Sequence, residues 1–168
     1  HLHQIKYPDI TGLPPVDGGM LMFYNMGNIH DVNEQNSIYN EQTAEKYVAY
    51  SANYPLHLDV ALPLFNWLIH YRNNHVVGLI TKKQLPDVTN ETYFYHEKNT
   101  QLYIVRVSQL INSIYYKEGD VLKKEILSNN ELIKATQQVN NSLKHFTCSA
   151  YVFSSDSLTS SLFSLLCD

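Results

Sequence analysis

The segment Gly18–Met26, "GGMLMFYNM", constrains this chain more than any other stretch. A half-buried strand alternates apolar and polar residues, whereas a continuous apolar run is the pattern of a strand covered on both faces, as in a parallel sheet. The run ends on an aromatic hydroxyl and an amide, Tyr24 and Asn25, just before Gly27. It therefore predicts a central parallel strand over Gly18–Met26, with Gly27 allowing the chain to turn sharply. "NEQTAEKYVAYSANY" follows and reads as a helix. Ala44, Tyr47, Val48 and Ser51 share one face, and Glu41 and Glu45 lie toward its start. "LDVALPLF" is a second buried-strand pattern, in which Pro63 marks a bulge or the strand's end because it gives no ladder N–H. Strand, helix and strand with short links predict a βαβ unit with a right-handed crossover.

Flanking this unit, "HLHQIKY" alternates at first and predicts a short strand before the loop "PDITGLPP". From Val76 the texture changes. "HVVGLITKKQLP", "NTQLYIVRVSQL" and "SIYYKEGDVLKKEI" are short and rich in β-branched and aromatic residues, with "KEGD" as turn chemistry. They predict a small sheet-forming insertion. "SNNELIKATQQVNNSL" predicts a helix capped by Ser128 or Asn129, with Glu131 in its first turn and Leu132, Ala135, Val139 and Leu143 along one face. "FTCSAYVFSSDS" predicts a last strand and "LTSSLFSLL" a closing helix. The expected organisation is βα units over 1–75, an insertion over 76–127 and a helix–strand–helix over 128–168.

The 168 residues are 44% apolar and 17% charged, enough for a substantial core and unlike a disordered chain. A formal charge of −4, with 12 Lys and Arg in no cluster, argues against a nucleic-acid partner. No apolar run approaches the ~20 residues of a membrane span, and no signal-peptide pattern opens the chain. The first residue is His rather than Met, as in a processed chain or a piece of a longer one. Cys148 and Cys167 show no C-x-x-C spacing and read as idle or buried thiols. Thirteen tyrosines and many amides suit uncharged polyhydroxylated ligands, because rings stack on sugar faces while amides both donate and accept; on composition alone, a simple bias toward Tyr and Asn is the better explanation.

In α/β sheets, ligands bind at the carboxyl ends of the parallel strands. Those ends would be Tyr24-Asn25-Met26, Phe65-Asn66-Trp67 and Ser154-Ser155-Asp156, and Trp67 is the single tryptophan. Two strand ends would bring a ring and an amide to one rim, either as a pyranose platform or as rim packing. A glycosidase needs two carboxyl groups, ~5 Å apart in retaining enzymes. Asp17 and Asp59 belong at the amino-terminal ends, and Asp156 suits a helix cap, so no acidic pair is evident. His1, His3, His30, His57, His70 and His75 are scattered without metal-ligand spacing, so no metal site or cofactor is expected. Neither a phosphate loop nor a G-x-S-x-G elbow is present.

"MLMFYNMGN" resembles the Met-x-Tyr-Asp/Asn signature that chitinase-like (β/α)8 glycoside hydrolases carry at the end of the sixth barrel strand, here Met22-Phe23-Tyr24-Asn25. "ALPLFNW" is similar to their next strand, apolar residues followed by Pro and an aromatic. The wider pattern, with "YPLHLDVALPLFNW" and then "GDVLKKE", also resembles uncharacterised barrel proteins of bacterial cell envelopes. The likeness covers most of the chain and rests mainly on Val16–Arg72. It implies an α/β fold, a partial (β/α)8 (TIM-type) barrel of parallel strands with an α+β insertion, and a cell-envelope or secreted location. It implies too that Tyr24, Asn25, Asn66, Trp67 and Asp156 bind an oligosaccharide or polysaccharide. The family's Asp-x-x-Asp-x-Asp-x-Glu motif is absent, and no tryptophan ends the last strand. On this registration the chain is the second half of a barrel, and ~200 residues are needed for a whole one. Either an N-terminal half lies elsewhere or two copies cover each other's open edges.

Two readings of function follow. In the first, the chain is a fragment of a glycoside hydrolase-like protein, inactive alone because its catalytic acid is missing. In the second it is a non-catalytic carbohydrate- or protein-binding module, with the partner surface on Val76–Ile126 and its tyrosines between Tyr93 and Tyr116.

Overall fold

A computed structural model describes residues 2–51 and 53–142. The strand expected over 146–157 and the helix expected over 158–166, with Cys148, Asp156 and Cys167, lie outside the described residues. The chain divides into two compact units. The first takes residues up to Gly27, then Ile38–Phe65, and the segment from Leu127. The second takes Asn28–Ser37 and Asn66–Ile126.

In the first unit the chain opens on two short helices, α1 (Leu2–Lys6) and α2 (Pro8–Thr11). The strand expected in "HLHQIKY" is thus a helix; five alternating residues are too few to separate the two periods, and burial of Ile5 against α3 (Glu41–Ser51) decides. Strand β1 (Gly18–Met22) pairs in parallel with β2 (His57–Ala61), from Gly18↔His57 to Met22↔Ala61, and α3 forms the crossover. Gly18 suits the close approach of the two strands: a Cβ there would lie 3.3 Å from the His57 carbonyl oxygen, a tight contact. Asn40 caps α3, its Oδ1 accepting from the Thr43 N–H at 2.9 Å. The last helix, α4 (Asn129–Ser142), starts with a reciprocal cap. The Glu131 carboxylate accepts from the Ser128 N–H (2.8 Å) and hydroxyl (2.7 Å), and Ser128 Oγ accepts from the Glu131 N–H at 3.3 Å. Leu21, Phe23, Leu58 and Val60 pack with Ala44 and Val48 of α3 and Leu132, Ala135 and Val139 of α4.

The second unit is a five-stranded antiparallel sheet. Its strands are β3 (Trp67–Arg72), β4 (His75–Ile80), β5 (Phe94–His96), β6 (Leu102–Val105) and β9 (Val121–Glu125), in the order β4-β3-β9-β6-β5. A separate hairpin joins β7 (Gln109–Ile111) to β8 (Ile114–Tyr116). Two hairpins close through two-residue loops in which both residues take positive φ, Asn73 (51°) with Asn74 (62°) and Asn112 (50°) with Ser113 (67°). This backbone matches the twist of the flanking strands and suits Asn, which tolerates the left-handed region. In the "KEGD" turn, Gly119 supplies a φ of 84°. Leu68, Ile80, Phe94, Val105, Tyr116 and Leu122 form the core on one face.

The expected partial (β/α)8 barrel is therefore incorrect. Most strands lie in the antiparallel sheet, parallel pairing among the described residues is confined to β1 and β2, and no barrel closes. The apolar run misled because only alternate residues of it are buried: Leu21 and Phe23 are inside, while Met20 is 41% exposed. The run also stops pairing early, with Phe23 N–H donating to Ala61 C=O as the last bond of the ladder. The segment "FNWLIHYRNNH" then does not continue a parallel layer; its Asn-Asn turn folds β3 back into an antiparallel hairpin. No helix among the described residues is long and apolar enough to cross a membrane.

Candidate functional site

Of the residues expected at a barrel rim, Tyr24 and Asn25 fall in the first unit and Asn66 and Trp67 in the second. Tyr24 is half-buried just past β1, its ring edge-on to Phe65 at 5.5 Å. Asn25 is exposed and takes a φ of 58°, so the turn after β1 uses this residue's tolerance of the left-handed region. Asn66 is exposed immediately before β3. Trp67 opens β3 and is buried, its indole N–H donating to Glu125 Oε2 at 2.8 Å. That ring serves the interior of the sheet rather than offering a stacking face. Asp156 lies outside the described residues.

Alternation along β3 and β9 sends Trp67, Ile69 and Tyr71 with Val121, Lys123 and Glu125 to the face opposite the core just described. The Asn28–Ser37 segment is pinned on that face. Tyr71 hydroxyl donates to Ile29 C=O at 2.7 Å, Asn36 Nδ2 to Ile126 C=O at 3.1 Å, and Lys123 Nζ to Glu34 C=O. Ser37 Oγ donates to Glu125 Oε2 at 2.5 Å, and Lys123 Nζ pairs with Glu125 Oε1 at 2.8 Å. Burial alone would raise the Glu125 carboxyl, but the donors Lys123, Ser37 and Trp67 and the lysine's charge carry it below the usual carboxylate range. A second knot sits on the core face. Asp120 accepts from Arg72 Nε (2.9 Å) and Nη2 (2.8 Å), from the Lys117 N–H (2.8 Å), and meets His70 Nε2 at 2.7 Å. Burial opposes ionisation of Asp120 too, and these donors overcome it, so its carboxyl also lies below the usual range. A His–carboxylate pair can relay protons, but this carboxylate is saturated and the imidazole is buried against the Tyr116 ring at 5.2 Å. Both knots hold the fold. Sequence reading missed them because charged residues in "DVLKKE" ordinarily mark a solvated face.

Open chemistry lies instead along β5 and β6. His96 pairs across the ladder with Tyr103, and the two rings stack 4.6 Å apart at 19°. The imidazole is held from behind: Nε2 donates to Thr100 C=O at 2.9 Å, and Thr100 Oγ1 donates to Glu97 C=O at 2.8 Å, closing the β5–β6 turn. Beside the stacked pair is a hollow of about 460 Å³, lined by Val88, Thr89, Glu91, Phe94, Tyr95, His96, Tyr103 and Arg106. The Arg106 guanidinium lies 5.5 Å from the centre of the Tyr95 ring. A smaller hollow of about 260 Å³ is lined by His96, Thr100, Gln101, Tyr103, Lys124 and Ile126. Rings, a hydroxyl, an acid and a guanidinium offer both stacking surface and hydrogen-bonding capacity. Among the described residues, Glu91 is the one carboxylate lining either hollow. No group of His, Cys, Asp and Glu among the described residues has the arrangement to hold a metal ion. The volume of the larger hollow is in the range of small-ligand sites. Comparisons with family models, with characterised proteins and with solved structures find no match to this chain.

Proposed function

We propose that the antiparallel-sheet unit is a non-catalytic carbohydrate-binding module, with its site in the hollow beside His96 and Tyr103. The observation that carries this reading is the stacked ring pair bordering a hollow that also holds Thr89, Glu91 and Arg106. Ring surface packs on the C–H face of a pyranose, while the acid accepts and the guanidinium donates to its hydroxyls. Glycoside hydrolysis in its usual form takes two carboxyl groups across the scissile bond. One carboxylate, Glu91, supports binding without cleavage. A cell-envelope or secreted location would bring such a module to its polysaccharide.

The test is a titration of the 168-residue chain with neutral β-1,4-linked tetrasaccharides of N-acetylglucosamine, glucose and xylose, followed by amide chemical shifts. Saturable shifts at Glu91, His96 and Arg106 are the expected result. Tyr103→Ala should weaken that binding by about tenfold, the scale of one lost aromatic contact. Absence of saturable shifts with all three sugars and with an acidic tetrasaccharide, or cleavage of any of them, would overturn the reading.

A further inference from the structure

We infer that the ligand is an acidic oligosaccharide whose anionic unit sits beside Lys124, in the smaller hollow, while a neutral unit occupies the larger one. This inference rests on the carbohydrate reading above. Both hollows are lined by His96 and Tyr103, so the stacked pair is a wall common to two adjoining subsites. Their charges differ. The larger hollow is lined by one acid, Glu91, and one guanidinium, Arg106, whose opposite charges suit an uncharged ring and penalise a carboxylate placed near Glu91. The smaller one contains Lys124 and the donor–acceptor Gln101, and none of the described residues lining it is a carboxylate.

The strand register explains why a lysine is present there. Lys123 and Lys124 are adjacent on β9, so their side chains leave on opposite faces. Lys123 is buried in its ion pair with Glu125. Lys124 is exposed, and its backbone N–H donates to Gln101 C=O at 2.8 Å, which sets it across from Gln101. Residues directly opposite on neighbouring strands share a face. Lys124 pairs with Leu68 and Tyr103 with Leu122, both core residues, so Lys124, Gln101 and Tyr103 all lie on the core face. An ammonium, a carboxamide and the shared ring therefore converge on the smaller hollow. Ile126 adds apolar surface for a sugar's C–H face.

The experiment compares a neutral β-1,4-linked N-acetylglucosamine tetrasaccharide with a tetrasaccharide of the same length that alternates uronate and N-acetylhexosamine. The acidic probe should bind about tenfold more tightly, as one charge-assisted hydrogen bond predicts. Its extra shifts should fall at Thr100, Gln101 and Lys124, and the preference should shrink with added salt. Lys124→Gln should bring the two probes to equal affinity, and Lys124→Arg should keep the preference. Binding of both probes with equal affinity by the unaltered chain would overturn the acidic-ligand inference and leave the carbohydrate module standing. Binding of neither would overturn both. A preference that survives Lys124→Gln would remove Lys124 from the anion subsite and so overturn the assignment.

Discussion

Trp67 and Glu125 stand opposite each other across β3 and β9, and the indole N–H donates at 2.8 Å to a carboxylate that has no solvent exposure. The same carboxylate is paired with Lys123 and accepts from Ser37, so a buried charge is held by three donors from three segments. A buried ion pair of this kind adds little net stability over an apolar pair, but losing one partner leaves an uncompensated charge.

Lys123→Met should therefore destabilise the protein by ~3–5 kcal/mol, measured by urea unfolding. Combining it with Glu125→Gln should cost less than the sum of the two single changes, because neither charge is then stranded. Strict additivity of the two costs would mean that the pair does not interact.

Acid should weaken the fold through Glu125 and Asp120, both of which have carboxyls held below their ordinary values in the folded protein. A group with a depressed folded pKa contributes stability that is fully present above the unfolded value, about 4 for these carboxylates. That contribution is lost as pH falls through the lower folded values. Urea midpoints should hold from neutral pH to about 5 and then drop, and Asp120→Asn should flatten the drop. An acid limb of unchanged steepness in the variant would assign the drop to other groups.

Trp67 is the single tryptophan, so its fluorescence reports on this position alone. Its emission should be blue-shifted, poorly quenched by acrylamide and indifferent to added oligosaccharide. Trp67→Phe should cost ~1–3 kcal/mol by removing one donor from a buried acceptor, and should leave glycan binding in place. A sugar-dependent emission shift would instead return the indole to the binding surface.

The cap of α4 offers a separate check on the first unit. Ser128→Ala should lower stability by ~1 kcal/mol, because the Glu131 N–H loses its acceptor and the Glu131 carboxylate loses one of its two donors. Ser128→Thr, which keeps a hydroxyl able both to accept from the Glu131 N–H and to donate to its carboxylate, should recover most of that loss. A cap without energetic weight would show as no change in either variant.

Local chemistry was enough to encode the two longer helices and the "KEGD" turn. The helical spacing of Leu132, Ala135 and Val139 marked the buried face of α4, and Ser128 marked its start. The "KEGD" turn and the strand–helix–strand order around α3 were legible for the same reason, since each depends on residues within a few positions. Strand partners were not legible. A short apolar run such as "MLMFY" is compatible with parallel or antiparallel neighbours, and the Asn73-Asn74 turn that folds β3 onto β4 is a weaker signal than the apolar strand pattern before it. Tertiary structure alone decided that β9 lies between β3 and β6. That placement sends Trp67, Lys123 and Glu125 to the face covered by Asn28–Ser37, where they are buried, and Lys124 to the core face, where it is exposed; His96 meets Tyr103 through the neighbouring β5–β6 ladder. Its reason is physical: ladder hydrogen bonds join residues far apart in the chain, and the face a side chain takes is set by the partner strand it must register with.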